Sequence, residues 1–330
     1  MNQPDAIQRL LIATLAHGQT VSGSDLAQRL GISRTAIWKR MRTLRELGLP
    51  ISANAGAGYR LQHGFQMLDS SAIQQRLSTL AQRRIETVEV VWHVESTNSS
   101  LMRRAQLPNA QRMALLAEIQ TGGRGRRGRV WRSNFGGSLT LSLLWQFQHG
   151  MSALSGLSLV TGIATIRALA DIGVGGIGLK WPNDLTADGR KLAGILIEIG
   201  GEAQGPCHAV IGIGINLRLD AATAAEIEQD WTDIATLTSD PALIDRNTLA
   251  AAVLSRLAES LERFEVEGFA AFNQEQARYD ALGGRSVRVS TPSGERTGVA
   301  CGVDVRGALR LRDDRGEFVV ESGEVSVRTE

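Results

Sequence analysis

Cysteine is scarce in the sequence, and net charge is almost absent from it. Only Cys207 and Cys301 occur among the 330 residues, without CxxC spacing, and the five histidines are scattered. Neither a disulfide framework nor a zinc site is therefore indicated. The first ten residues, MNQPDAIQRL, also lack the basic start and apolar run of a signal peptide. Together these absences predict a cytoplasmic protein.

Acidic and basic residues nearly balance, with a formal net charge of +2. A nucleic-acid partner therefore has to be argued from where the charge lies. Charge is missing altogether between residues 133 and 166, where glycine, glutamine and histidine interrupt the apolar residues. A membrane span needs about 20 consecutive apolar residues. We therefore expect a buried strand followed by a buried helix, and no membrane partner.

The first 65 residues have the pattern of a helix-turn-helix unit. A helix is expected at residues 6–16, and SGSDLAQRLGISRTAIWKRMRTLRELG then indicates two more helices with a tight turn at Gly31. Ser24 and Ser33 are the expected N-caps of these two helices. The following ISANAGAGYRLQ indicates a β-hairpin, or wing, whose glycine-rich tip carries Arg60.

DNA binding by this unit is predicted from one-sided charge. Basic residues recur from Ser33 to Arg45 with no acidic residue between them. Such a helix can neutralise phosphates while its amino-terminal side chains reach base edges in a major groove. The predicted DNA contacts are Ser33, Arg34, Thr35, Trp38, Lys39, Arg42, Arg45 and Arg60. The alternative is a solvated basic helix, and Trp38 is either a base or sugar contact or a packing residue against the wing.

The rest of the chain divides where its pattern changes, near residue 283. Between residues 66 and 282, apolar segments such as MALLAEIQ and AVIGIGINLRL alternate with helices, the first of them expected at residues 70–83. The acid-rich segment 219–241 is expected to be an irregular surface excursion. After residue 283, short β runs alternate with turns at a spacing typical of a small barrel. The prediction is an α+β protein of three domains, at 1–65, 66–282 and 283–330.

Residues 122–131, GGRGRRGRVW, form a glycine-rich loop with four arginines and no acidic residue. Gly123, Gly125 and Gly128 satisfy the dinucleotide fingerprint GxGxxG, but the helix and the acidic residue that should follow it are both missing. No Walker sequence, GxxxxGK[ST], occurs in the chain. The forked cations of this arginine loop instead suit phosphate oxygens. An RNA-binding arginine-glycine segment and a solvated loop are the alternatives.

A second motif gathers polar side chains on a hairpin. KWPNDL ends a strand and TADGR turns the chain into KLAGILIE, so Lys180, Asn183, Asp184 and Lys191 are expected near one another. Amide and carboxylate groups can hold ribose or a metal-bridged phosphate, and a lysine can offset charge at a reacting carboxylate or phosphate. Taken alone, such a hairpin is more often an ordinary turn, and the segment ESTNSSL is simply an N-cap.

In combination these motifs are more specific. STN, a glutamine before GGRGRRGR, then KWPND, RKLAGIL and GIGIN, all behind a winged helix, resemble the bifunctional biotin-protein ligases that also repress the biotin operon. The resemblance covers essentially the whole chain. It implies a central domain with a mixed sheet, related to class II aminoacyl-tRNA synthetases, and a carboxy-terminal SH3-like barrel. It also implies that biotin and ATP, with Mg²⁺, give biotinyl-5'-AMP, which donates biotin to a lysine of the biotin carboxyl carrier protein of acetyl-CoA carboxylase.

The resemblance also assigns site residues, motif by motif. The implied catalytic residues are Lys191, Arg126 and Asp184. The implied biotin contacts are Ser96, Thr97, Asn98, Gln120, Arg124, Gly125, Arg126 and Lys191. The implied contacts of ATP and the adenylate are Arg124, Arg127, Arg129, Trp131, Lys180, Asn183 and Asn216, without a fixed protein site for the metal. A homodimer that forms with bound biotinyl-AMP and binds operator DNA is the implied repressor.

Two other functions remain open from the sequence. In a transcription factor, the central domain would only sense a ligand and would need no cations converging on a phosphate, so Lys191 and the arginine loop argue against this function. A lipoate or octanoate transferase of the same superfamily is the nearer alternative. The arginine loop and the winged helix favour the biotin branch over it.

Overall fold

The computed structural model describes residues 5–54, 56–61, 66–107, 110–238, 245–291, 294–321 and 326–329. An amino-terminal unit holds α1 (Ala6–Leu15), α2 (Gly23–Leu30), α3 (Arg34–Glu46) and an antiparallel wing of β1 (Ile51–Asn54) and β2 (Gly58–Leu61). Apolar side chains at helical spacing, among them Leu11, Leu26 and Ile37, form its core. The predicted helix-turn-helix and its hairpin are confirmed.

The N-cap of α2 is Ser22, so the prediction of Ser24 is wrong. Ser22 has extended backbone angles, and its Oγ accepts a hydrogen bond from the backbone N–H of Asp25 at 3.0 Å. Ser24 lies inside the first helical turn, where Ser22 already satisfies a free N–H group. Ser33 caps α3 as predicted, because its Oγ accepts from the N–H of Ala36 at 3.1 Å.

The central domain is built on a seven-stranded sheet with the order β3-β4-β5-β9-β8-β7-β6. Its strands are β3 (Thr87–Val94), β4 (Met113–Gln120), β5 (Ser138–Phe147), β6 (Gly178–Lys180), β7 (Asp184–Ala187), β8 (Arg190–Gly201) and β9 (Cys207–Asn216). β3 and β4 are parallel, and the other neighbours are antiparallel. The predicted mixed sheet is confirmed.

Helices cover both faces of this sheet. On one face, Leu101 of α6 (Thr97–Ala105) clusters with Leu115 and Leu144. The other face is covered by α4 (Ser70–Arg76), α5 (Thr79–Arg84), α7 (Leu157–Asp171) and α10 (Arg246–Glu267). The uncharged stretch supplies β5 and most of α7, which are buried as predicted. In the part of the chain that the structure describes, no helix is long and apolar enough to cross a bilayer.

Two segments of the central domain differ from the predictions. The helix expected at 70–83 is interrupted at Leu77, whose backbone is extended, and Ser78 caps α5. The acid-rich segment contains α8 (Ala221–Ala225) and α9 (Ile234–Leu237), and it is more than a surface excursion. Its Thr232 is buried, and residues 230–232 pair with the start of β8. Pairing between distant segments leaves no local signal in a sequence. Residues 239–241 of this segment lie outside the described ranges.

The carboxy-terminal domain is a five-stranded antiparallel sheet with the order β13-β12-β11-β10-β14. Its strands, which follow α11 (Asn273–Tyr279), are β10 (Ser286–Thr291), β11 (Gly294–Val303), β12 (Leu309–Asp313), β13 (Gly316–Val320) and β14 (Ser326–Thr329). Val287 and Leu311 join the core of the central domain. The indole N–H of Trp181 donates to the Gly307 carbonyl at 3.0 Å. This hydrogen bond links the KWPND segment to the carboxy-terminal domain.

A buried ion pair secures the segment that follows the wing. Arg246 Nη1 and Glu118 Oε2 are 2.7 Å apart, and both side chains are at most 3% exposed. The Glu118 carboxylate also accepts a hydrogen bond from the backbone N–H of Leu68, and Arg246 donates a hydrogen bond to the Gln66 carbonyl. Residues 66–68 are thereby fixed against β4.

Candidate functional site

A cleft lined by polar and apolar side chains opens between the arginine loop, the start of α6 and strands β8 and β9. Its lining includes every residue predicted for catalysis or for contact with biotin or ATP except Asn216, namely Ser96, Thr97, Asn98, Gln120, Arg124, Gly125, Arg126, Arg127, Arg129, Trp131, Lys180, Asn183, Asp184 and Lys191. Motifs from separate parts of the chain therefore form one site.

The arginine loop folds back on itself beside the cleft. The N–H of Gly125 donates to the Arg129 carbonyl at 2.7 Å, and the N–H of Trp131 donates to the Gly123 carbonyl at 2.9 Å. A 3-10 turn, Arg126–Gly128, forms its tip. The chain then continues towards β5 without the helix that a dinucleotide loop requires, so the GxGxxG match is accidental.

Arg124 is paired with an acidic residue that the motifs did not include. Its Nη2 lies 2.9 Å from Glu198 Oε1 and 2.9 Å from Ser99 Oγ. The Arg124 side chain is 49% exposed and that of Glu198 27% exposed. Because such a pair is exchangeable in contact with water, an anionic ligand can replace Glu198 as the partner of Arg124.

Arg126 is more deeply placed than its neighbours in the loop. Its Nη1 lies 3.4 Å from Asn183 Oδ1. Burial lowers the pKa of the Arg126 guanidinium; Asp184 raises it, and the charges of Arg127 and Arg129 lower it. An arginine keeps its charge in proteins despite such shifts, so the cleft holds a desolvated cation that an anion would stabilise.

Lys191 directs its ammonium group into the cleft. Its Nζ lies 2.8 Å from Asp184 Oδ1 and 5.9 Å from the centroid of the Trp131 ring. The acid-rich segment clamps its backbone, because the Lys191 N–H donates to the Asp230 carbonyl at 3.0 Å and its carbonyl accepts from the Thr232 N–H at 2.9 Å. A cation held in this way is positioned before any ligand arrives.

Two glycines of the GIGIN strand make room for side chains above the sheet. A Cβ on Gly214 would lie 2.4 Å from Trp131 Cε2, and one on Gly212 would lie 2.1 Å from Asn98 Oδ1. The isoleucines that alternate with these glycines belong to the core, since successive residues of a strand face opposite sides. The motif therefore provides a floor against which the Trp131 indole packs.

A chain of polar side chains runs beneath the cleft. The backbone N–H of Thr97 donates to Gln120 Oε1 at 2.7 Å. Ser142 Oγ lies 2.7 Å from Thr97 Oγ1 and 2.6 Å from Asn98 Oδ1. Asn98 Nδ2 in turn donates to Glu198 Oε2 at 3.0 Å. The Asn98 amide, predicted as a biotin contact, thus has protein partners on both of its polar atoms.

Two predicted nucleotide contacts serve the structure around the site. Asn183 Nδ2 donates to the Ile195 carbonyl at 2.7 Å. Asn216 is buried outside the cleft lining, and its Nδ2 donates to the Thr232 carbonyl at 3.0 Å. Asn216 thereby supports the segment that holds Lys191.

Helix α3 exposes most of its predicted DNA contacts. Arg34, Thr35, Trp38, Lys39 and Arg42 are all exposed. The Arg42 guanidinium carbon lies 5.4 Å from the centroid of the Trp38 ring, and Trp38 is 52% exposed. About half of the indole is therefore exposed on the surface of α3.

Three other predicted DNA contacts have partners within the unit. Ser33 caps α3, and Arg45 Nε donates to the Ile51 carbonyl at 2.8 Å. Arg60 Nε donates to the Gly18 carbonyl at 2.7 Å. The position expected for Arg60 at the hairpin tip is wrong, because β2 resumes at Gly58 and Arg60 pairs with Ser52 within the ladder.

Comparisons with known proteins agree with this architecture. Residues 91–216 match the model of the biotin/lipoate A/B protein ligase family. Residues 7–60 match an HTH domain, and residues 282–328 match the biotin protein ligase C-terminal domain. Fold and site thus define the class, a protein ligase of the biotin/lipoate type that carries a helix-turn-helix domain.

Individual relatives narrow this class. The bifunctional ligase/repressor BirA of Escherichia coli K12 is 38% identical over 97% of this chain and 96% of its own length. BirA of Bacillus subtilis is 29% identical over 94% of this chain and 95% of its own. The solved structure of the biotin protein ligase from Aquifex aeolicus in complex with biotin and ATP has a TM-score of 0.62 and 28% identity, covering 74% of this chain and 99% of that one. The chain belongs to the family of bifunctional biotin-protein ligase/repressors, as its motifs predicted.

Three parts of the site were not predicted from the sequence. Ser142 had a signal, because small hydroxyl residues alternate with leucines in SLTLSLL. Glu198 had one too, as the single acidic residue in the apolar segment GILIEIG. Residues 229–231 lie beside the cleft and Lys191 without any local pattern to mark them.

Proposed function

We propose that this chain activates biotin with ATP to biotinyl-5'-AMP and then transfers biotin to one lysine of the biotin carboxyl carrier protein of acetyl-CoA carboxylase. The observation that carries the proposal is that Lys191, Arg124, Arg126 and the indole of Trp131 line one cleft. A carboxylate and a phosphate approach each other only when cations offset their repulsion. Membership of the ligase/repressor family points to biotin as the acid.

In the first step, a biotin carboxylate oxygen attacks the α-phosphorus of ATP and pyrophosphate leaves. Ser96, Thr97 and Gln120 hold the ureido head, and the Asn98 amide supports Thr97 through Ser142. Arg124 exchanges Glu198 for the ligand anions, and Arg126 and Gly125 close over the carboxylate and the phosphate. Lys191 offsets the negative charge of both groups while they react.

The nucleotide takes the outer part of the cleft. Arg127, Arg129 and Lys180 neutralise its phosphates, Asn183 holds Arg126 beside them, and adenine packs on Trp131. Among the described residues, no three His, Cys, Asp or Glu side chains gather to hold a metal ion. Arg127, Arg129 and Lys180 would hold the phosphates that carry Mg²⁺, and the bound ion would supply charge that lowers the repulsion between the two anions.

In the second step, the amine of the carrier lysine attacks the anhydride carbonyl and AMP leaves. Asp184, which is paired with Lys191, orients the incoming amine, and Lys191 neutralises the departing AMP.

Pyrophosphate release tests the enzymatic proposal. Purified protein with ATP, Mg²⁺ and biotin should release pyrophosphate, and Lys191→Ala should lower the rate by about 100-fold or more. Arg190→Ala removes a neighbouring cation of β8 outside the cleft lining and should retain the wild-type rate. Release with lipoate in place of biotin would assign the chain to the transferase branch. No release with either acid would leave only a ligand sensor.

Repression of the biotin operon is the second part of the proposal. Bound biotinyl-AMP favours a homodimer, which presents two α3 helices to operator DNA, and Trp38, Lys39 and Arg42 are placed to contact it. A footprint on the biotin promoter should appear with biotin plus ATP and be absent without them. An identical footprint in both conditions would contradict this coupling.

Finer assignments of fold and location belong to the same proposal. We assign the central domain to the class II synthetase-like architecture and the five-stranded carboxy-terminal sheet to an SH3-like barrel. Domain boundaries at 65/66 and 282/283 stay predictions. A cytoplasmic location fits an activity that needs ATP, carrier protein and operator DNA together.

A further inference from the structure

The polar chain beneath the cleft has a fixed direction of hydrogen-bond donation. Asn98 Nδ2 donates to the Leu196 carbonyl at 3.1 Å and to Glu198 Oε2 at 3.0 Å. Rotation of the amide by a half-turn would set its oxygen against these two acceptors. Asn98 Oδ1 therefore faces Ser142.

This orientation decides the hydroxyl protons of the next two residues. Ser142 Oγ lies 2.6 Å from Asn98 Oδ1, and an amide oxygen has no proton to donate, so the single proton of Ser142 goes to Asn98. Ser142 Oγ also lies 2.7 Å from Thr97 Oγ1. Ser142 has no second proton, and the Thr97 hydroxyl lies closer to Ser142 Oγ, at 2.7 Å, than to Gln120 Oε1, at 3.0 Å, so Thr97 donates its own proton to Ser142.

Two oxygens at the edge of the cleft then lack a proton between them. Thr97 Oγ1 and Gln120 Oε1 are 3.0 Å apart. The Gln120 amide cannot rotate to relieve this contact, because its Oε1 already accepts the Thr97 backbone N–H at 2.7 Å. Both residues line the cleft. An N–H group that reaches them from the cleft can donate to both oxygens.

We propose that Ser142 is a positioning residue that determines ligand specificity. By taking the proton of Thr97, it makes Thr97 Oγ1 and Gln120 Oε1 a paired acceptor that selects a ligand with an N–H at that point. Ser142 is fully buried and lies outside the cleft lining, so it acts through Thr97. The inference rests on the proposed function, in which the N–H belongs to the ureido ring of biotin.

The test is Ser142→Ala, compared with Thr140→Val as a matched control. Without the Ser142 hydroxyl, Thr97 donates to Gln120 and the paired acceptor is satisfied inside the protein. Affinity for biotin should fall about tenfold, and affinity for ATP should stay the same. Thr140 is a buried hydroxyl residue of the same strand. Its hydroxyl donates to the Ala117 carbonyl at 3.0 Å and takes no part in the hydrogen bonds among Asn98, Ser142 and Thr97. Its replacement should leave biotin affinity unchanged.

Binding of biotin analogues distinguishes a role of Ser142 in ligand specificity from a purely structural role. Calorimetry should give the dissociation constants of biotin and of two analogues, each methylated on one ureido nitrogen. The wild type and Thr140→Val should discriminate strongly between biotin and at least one analogue, and Ser142→Ala should lose about tenfold of that discrimination. If Ser142→Ala binds biotin as tightly as the wild type does, and discriminates equally well between biotin and the analogues, the inference is overturned and the proposed function still stands. No binding of biotin by the wild type would overturn the proposed function and the inference with it.

Discussion

Lys191 and Asp184 form an ion pair across the hairpin of β7 and β8, with 2.8 Å between Nζ and Oδ1. The pair joins two sequence motifs, because Asp184 belongs to KWPND and Lys191 to RKLAGIL. Both side chains are only about one-fifth exposed, at 18% and 22%. The carboxylate therefore holds the Lys191 ammonium in the cleft, where we propose that it meets both reacting anions.

We expect Asp184→Asn to lower kcat for biotinyl-AMP formation about tenfold, with no rise in KM for biotin. The asparagine keeps an acceptor for Lys191 but loses the charge that holds the ammonium in place, and errors of position act mainly on the transition state. Steady-state kinetics of pyrophosphate release measure both constants. Asp188→Asn, in the exposed turn of the same hairpin, is the control. A rise in KM with unchanged kcat would show that Asp184 serves binding only.

Gly214→Ala should lower kcat/KM for adenylation about tenfold or more, because its Cβ would displace the Trp131 indole from the strand. Gly175→Ala is the matched control, since a Cβ at this exposed glycine meets no atom within 4 Å. The same kinetic assay serves both variants. Full activity of Gly214→Ala would mean that the indole does not need this floor during the reaction.

Arg246→Met should destabilise the protein by about 3–5 kcal/mol, because it leaves the Glu118 carboxylate buried without its partner. Urea unfolding at neutral pH measures the change. Arg132→Met removes one partner of an exposed pair with Glu226 and should cost less than about 1 kcal/mol. The double variant Arg246→Met with Glu118→Met should recover part of the loss, and a further loss in the double variant would contradict this account.

Lys39→Ala should weaken DNA binding and reduce the slope of log affinity against log salt concentration by about one. Arg45→Ala should instead lower the melting temperature with little change in that slope, because Arg45 Nε is bound to the Ile51 carbonyl of the wing. Fluorescence anisotropy on a biotin-promoter duplex at several salt concentrations distinguishes the two. Equal slopes for Lys39→Ala and the wild type would remove Lys39 from the phosphate contacts.

Asp280→Asn should raise the melting temperature near neutral pH. Burial raises the pKa of the Asp280 carboxyl above its ordinary value of 3.8, although the N–H groups of Leu282 and Gly283 lower it. The contribution of Asp280 to stability is therefore complete below that ordinary value and is lost as pH rises through the folded-state pKa. The gain from Asn should shrink as the pH is lowered towards 4. Asp314→Asn, at an exposed carboxylate, is the control. If the rise in melting temperature of Asp280→Asn does not change with pH, the ionisation of Asp280 is not its cause.

The sequence by itself determined the family and most of the secondary structure. Arginine-rich GGRGRRGR and KWPND are local patterns, so their chemistry is readable without a fold, and family membership followed from their order along the chain. Periodicity likewise predicted the helix-turn-helix, the buried strand β5 and the buried helix α7. Their common property is that each signal lies within about 20 neighbouring residues.

Only the tertiary structure decided which groups act on one another across long separations. Ser142 reaches Asn98 across 44 residues, and Arg124 meets Glu198 across 74. Residues 230–232 clamp Lys191 through backbone hydrogen bonds that no side-chain pattern encodes. Arg45 and Arg60 were predicted from the sequence as DNA contacts, and in the structure they donate hydrogen bonds to backbone carbonyls of their own domain. The physical reason is that hydrogen-bond partners are set by strand register and packing, which depend on the whole sheet.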